Sequence, residues 1–380
     1  MTEHISINNY TTPAEMPKKS SVQSKRLNYV DMVKGIAVLW VVFYHLISPG
    51  IVKDVLNHVI DTVLIAFFFY SGYFHKPGKL SIGENIIVRT KAVFVPFFQY
   101  SLLFWAAGSL YLIITKSETV MEALYCLRNF YAGCIWNRVI QGWFSWEYYS
   151  LGKRYFYLAD FWFLIALFFA SILFFLIADH VVTSKGKAAV TAGVLFMITG
   201  VCRHFAISLP YNIQIVPFWT AFMLLGALAG QEKLFEKPLF TGTSGWILSL
   251  ALLGAGLTVS MLKAPVPNLF RGSFGDPEVV CMLLCILSAL LVIPGLSGLC
   301  VMVEKSGLRT NELGWIGSHS LIVYIYHMFF AWIICLLTGF SLQYEEPFTG
   351  TLVVKSFLLA LACLGLSVLR CIAGDRIAAA

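Results

Sequence analysis

Charge is scarce in this chain. Only 12% of its 380 residues are Asp, Glu, Lys or Arg, about half the usual share of a soluble domain. That deficit excludes a soluble globular enzyme. The sequence also lacks any CxxC pair or Cys/His cluster at zinc spacing, so no metal site is expected. Its nine cysteines are scattered, mostly inside apolar runs such as those around Cys281, Cys285, Cys335 and Cys363, and read as small buried hydrophobes. There is no internal repeat of the kind found in many transporters. No small-residue cleavage site follows the first apolar run, which is therefore expected to stay as an anchor.

Apolar residues make up 58% of the chain, among them 31 Phe, 17 Tyr and 10 Trp, far too much apolar surface for a disordered segment. Stretches long enough to cross about 30 Å of hydrocarbon lie near 35–51, 56–74, 92–115, 159–178, 188–207, 213–230, 244–262, 279–303, 314–339 and 349–372. The runs lack barrel-type alternation, and lipid admits only helices or closed barrels. The expected fold is an all-α integral membrane protein of about ten transmembrane helices. A polar tail (1–33) precedes a membrane domain (34–373) and a short tail (374–380).

The net charge of +7 is distributed by position. Of 27 Lys and Arg, 17 fall before residue 35 or in 75–91, 179–187, 231–242, 304–312 and the C-terminal end. The positive-inside bias of short loops then predicts both termini in the cytoplasm and the long, aromatic-rich connection 116–158 outside. That connection reads equally as an interfacial aromatic belt or as part of a substrate site. Read this way, the basic excess addresses the membrane and its lipids, and nucleic acid is not an expected partner.

Ionisable side chains deep in a bilayer cost several kcal/mol and are functional candidates by default. Among eight histidines only His45 and His327 fall clearly within predicted spans. Asp31, Lys34 and His45 share one helical stripe, since eleven residues return to within about 20° of the same face, and His45 lies about 16 Å beyond Lys34. Lys34 reads as a snorkelling anchor or as a functional cation, and His45 as a satisfied core histidine or as a reactive one. Ser320, Tyr324 and His327 form a second stripe, which could equally join helices. Asp61 and Asp160 are the acids expected to orient a histidine, with an interfacial position as the alternative for either.

The order of these features resembles the membrane acyltransferase family 3. Asp31-x-x-Lys34-x(10)-His45 is similar to the signature that opens the family, with Lys where Arg is commoner. Phe67-Phe-Phe-Tyr-Ser71-Gly72 resembles its "FF-x-SG" element, and Arg89-Thr-Lys91 with Pro96 its basic entry to the third span. Phe161-Trp162-Phe163-Leu164 resembles "WFL", and Gly317-Ser-His-Ser320-Leu-Ile-Val-Tyr324-Ile-Tyr-His327 resembles the late "G-x-x-S-L-x-x-Y-x-x-H". The likeness spans 26–372 and is similar to short sugar O-acetylases of the fucose 4-O-acetylase group.

It implies transfer of an acyl group, commonly acetyl, from acetyl-CoA to a hydroxyl of a cell-surface carbohydrate or glycolipid precursor, in a bacterial inner or plasma membrane. Acetyl-CoA would be a substrate, with no permanently bound cofactor. His45, with Asp31 and His327, is then the expected catalytic group. Lys34, Arg89 and Lys91 would hold the donor, and Ser71, Asp160, Trp162, Ser320 and Tyr324 would serve the acceptor or the frame. Ten spans with buried His and acidic residues also suit a proton-coupled carrier of a glycan or lipid-linked precursor, the alternative from another class.

Overall fold

The computed structural model describes residues 27–47, 50–135, 161–207, 209–263, 274–339 and 350–379. Asp160, the aromatic stretch 136–158 and the connection 340–348 lie outside the described residues, as does the tail up to residue 26. The described chain forms helices α1 (Asn28–Leu46), α2 (Ile51–Tyr73), α3 (Ile82–Arg89), α4 (Val95–Ile114), α5 (Val120–Ile135), α6 (Trp162–Val181), α7 (Lys185–His204), α8 (Val216–Gln231), α9 (Thr243–Met261), α10 (Glu278–Lys305), α11 (Asn311–Ser318), α12 (Ser320–Thr338) and α13 (Gly350–Ala379). No strand occurs among them.

Nine described helical runs are long and apolar enough to cross a membrane. The predicted second span, α2, is 23 residues long, about 34 Å, but its first half is more polar, carrying Lys53, Asp54, Asn57, His58 and Asp61. The result is an all-α multi-pass membrane protein.

Boundaries differ from the hydropathy reading wherever a polar residue finds a partner inside the bundle. α1 starts at Asn28 rather than near residue 35, because Asp31, 5% exposed, is paired within the helix by Lys34 at 3.6 Å. The third span starts at Ile82, ten residues early, and passes through a π-helical turn at Thr90–Phe94. The ninth is broken at His319 into α11 and α12. Part of the 116–158 connection is the helix α5.

Contacts gather the segments richest in Lys and Arg at one end of the bundle. Asn28 donates to Thr310 at 3.1 Å, the Tyr29 and Tyr73 hydroxyls lie 2.9 Å apart, and Tyr29 meets Phe235 edge-on. His75 reaches Asp179 at 2.9 Å, Lys185 reaches Glu232 at 2.9 Å, and His319 reaches Asp375 at 3.1 Å. Lys185, and then Lys237, hold the Glu232 carboxyl below its ordinary range by donating to it.

Asp61 does not orient a histidine. Its carboxylate is paired at 2.5 Å with Lys263, two residues past the end of α9, and both side chains are fully buried. Thr62, Ser260 and Ser288 hydrogen-bond to one another close by. Removing one member of a buried pair strands a charge, at a cost of about 3–5 kcal/mol, whereas replacing both by apolar groups is often neutral. Asp61→Asn should therefore lower the melting temperature in detergent sharply, and Asp61→Leu with Lys263→Met should recover most of the loss. A double variant as unstable as the single would contradict this account of the pair.

Candidate active site

Small residues let α1 and α11 approach until backbone meets backbone. A Cβ at Gly317 would fall on the carbonyl oxygen of Asp31, and one at Gly35 would collide with the carbonyl of Leu313. The helices run parallel, so ten residues beyond this crossing His45 of α1 arrives opposite His327 of α12. His327 Nε2 lies 3.3 Å from His45 Nδ1, with ring centroids 5.3 Å apart. His327 is fully buried and His45 is half-buried near the end of α1.

For an imidazole in its neutral form, the hydrogen bonds fix which ring nitrogen carries the proton. His327 Nδ1 lies 2.6 Å from the Tyr324 carbonyl, and His45 Nδ1 lies 2.9 Å from the Val41 carbonyl. A carbonyl only accepts, so both Nδ1 atoms donate. The His327 lone pair then sits on Nε2 and faces the His45 Nδ1–H, whose one hydrogen is shared between the Val41 carbonyl at 2.9 Å and, less closely, His327 Nε2 at 3.3 Å. The His45 lone pair sits on Nε2, the atom a general base requires.

About 16 Å back along α1, near the basic end, two cations flank the last turn of α2. Lys34 lies beside Asp31 and 5.7 Å from the Phe74 ring centroid. Arg89 donates from Nε to Ser171 at 2.7 Å and from Nη2 to Ser71 at 3.0 Å. Lys91 is exposed two residues further on, inside the π-helical turn, and is not brought to Arg89. Asp31 is not brought to His45, which lies about 21 Å further along the helix; the group against His45 is His327.

An acyltransferase-domain family model matches residues 27–374. The chain belongs to the acyltransferase 3 family. No curated protein and no solved structure matches it. The family favours an acyltransferase over the transporter alternative.

In this acyltransferase the motif elements converge through aromatic rings. Phe163, beside the half-buried Trp162, packs on Phe67 at 5.7 Å, Phe68 at 5.4 Å and Tyr324 at 5.2 Å. Tyr324 thus joins the "WFL" and "FF-x-SG" elements to His327. Ser320 opens α12, half-buried, about 10 Å along the axis from His327. Asp160 lies outside the described residues. Ser171 was not singled out from the sequence, although it is the single polar residue between Trp162 and Asp179, and an isolated hydroxyl in so apolar a run is a signal.

The close approach at Gly317 makes a local prediction. Gly317→Ala should separate α1 from α11, lowering both melting temperature and turnover of the acyltransferase. Gly365→Ala, where a Cβ meets nothing within 4 Å, should leave both unchanged. Equal behaviour of the two variants would show that the crossing does not control the site.

Proposed function

We propose that the protein transfers an acyl group, acetyl in the first instance, from acyl-CoA to a hydroxyl of a cell-surface carbohydrate or its lipid-linked precursor. Family membership supports acyl transfer, and the paired histidines supply a base for it. His45 Nε2 takes the acceptor hydroxyl proton as that oxygen attacks the thioester carbonyl carbon. The carbon–sulfur bond breaks, and the departing thiolate takes the proton from the imidazolium. His327 holds the ring by accepting from His45 Nδ1–H, a bond that strengthens while His45 is charged.

The observation that carries the donor reading is the spacing between cations and base. Lys34 precedes His45 by about 16 Å along α1. The pantetheine arm of CoA, roughly thirteen bonds advancing about 1.25 Å each, spans about 16 Å from pyrophosphate to sulfur. Phosphates held by Lys34 and Arg89 would place the thioester at His45. This reading puts the basic end, and both termini, in the cytoplasm, where acyl-CoA is available, with the acceptor reaching His45 from the opposite end.

His45→Ala should reduce turnover of purified, folded protein with acetyl-CoA by about 10²–10⁴-fold, the usual contribution of a general base. Near-normal turnover would remove the mechanism. Lys34→Gln should raise the KM for acetyl-CoA while Lys34→Arg keeps it close to the parent value. An unchanged KM in Lys34→Gln would leave Lys34 as an interfacial anchor.

A further inference from the structure

We infer that Ser171 is a positioning residue for Arg89, and that with Ser71 it holds the guanidinium as an undischarged cation facing the anionic part of the donor. This rests on the acyl-CoA reading above. Ser171 is fully buried; its hydroxyl donates to the Leu167 carbonyl at 2.6 Å and accepts from Arg89 Nε at 2.7 Å. Ser71 donates to the Phe67 carbonyl at 2.8 Å and accepts from Arg89 Nη2 at 3.0 Å. Each hydroxyl hydrogen is committed to its own helix, so each oxygen offers Arg89 a lone pair in a fixed direction. Both partners are neutral and leave the charge intact. Among the described residues no carboxylate pairs with Arg89, in contrast to Arg203 with Glu278 at 2.5 Å and Lys263 with Asp61.

The remaining hydrogen on Nη2 and both on Nη1 form a fork suited to phosphate oxygens. The π-helical turn Thr90–Phe94 begins at the next residue, a feature often found at functional positions. It lets the Arg89 turn pack on α6, where Phe94 stacks on Phe168 at 4.4 Å. Two serines on two different helices thus fix the azimuth of one guanidinium.

The test titrates coenzyme A calorimetrically into detergent-solubilised full-length protein, comparing the parent with Ser171→Ala, Arg89→Gln and the double variant. The KM for acetyl-CoA, kcat and the ligand-free melting temperature are followed in each. Ser171→Ala should weaken CoA binding about 10-fold, as expected for loss of a hydrogen bond to a charged group. The KM should rise in step, with kcat at saturation and melting retained. In the Arg89→Gln background, Ser171→Ala should change nothing further, because its effect passes through the guanidinium.

If Arg89→Gln weakens CoA binding but Ser171→Ala does not, or if the two effects multiply, the positioning assignment falls and the donor reading stands. Ser171→Ala protein that melts well below the parent, or cannot be recovered folded, makes Ser171 a packing residue and overturns the assignment. If Arg89→Gln itself leaves CoA binding unchanged, the donor reading fails and takes the assignment with it.

Discussion

The contact of α1 with α11 through Gly35 and Gly317 is the constraint on which the site depends. Two helices that touch backbone to backbone cannot rotate or slide without opening a gap in a densely packed interior. The crossing therefore fixes the face each helix turns to the other, and the parallel register carries that choice forward to His45 and His327. The break at His319 lies between the crossing and His327, and it is itself held: the His319 backbone N–H donates to the Trp315 and Ile316 carbonyls, and its Nε2 reaches Asp375 of α13. Gly72 plays a similar part where α2 meets α8, since a Cβ there would collide with the backbone of Met223.

Around that frame, polar groups follow the rule that charge is buried only with a partner. Asp61 has Lys263, Glu278 has Arg203, Asp31 has Lys34 and Asp179 has His75. Arg89 departs from the pattern, being held by hydroxyls that supply direction without countercharge. Among the described residues Asp31, Asp61, Lys263 and Arg203 are paired within the bundle, whereas Arg89 is held by two hydroxyls, an arrangement that suits the anion binding proposed above.

Much of this was legible in the sequence because the solvent is simple: an apolar run must be a helix, and ten runs gave the helices with their order. His45 and His327 stood out because ionisable groups are costly at that depth, and the family motifs put them in one protein. What could not be read is how helices face one another. The helical stripe joined Asp31, Lys34 and His45, yet rise along the axis separates Asp31 from His45, and the partner of His45 comes from a helix nearly three hundred residues away. Hydropathy also placed the start of α1 late, since it counts Asp31 and Lys34 as interfacial when they offset each other within the helix. Asp61 reads in the sequence as a partner for a histidine, but Lys263, invisible as a neighbour in one dimension, pairs with it. Ser171 was lost in an apolar run for the same reason: its significance lies in what reaches it from another helix.

In the proposed mechanism His45 and His327 act as one unit. A double-mutant cycle on turnover tests this most directly, with His45→Ala, His327→Ala and the pair measured on folded protein at saturating acetyl-CoA. Coupled residues give strongly non-additive effects, so the double variant should be no slower than His45→Ala alone, within about twofold. If the two losses instead multiply, the histidines act separately, and the hydrogen bond between them is packing and not mechanism.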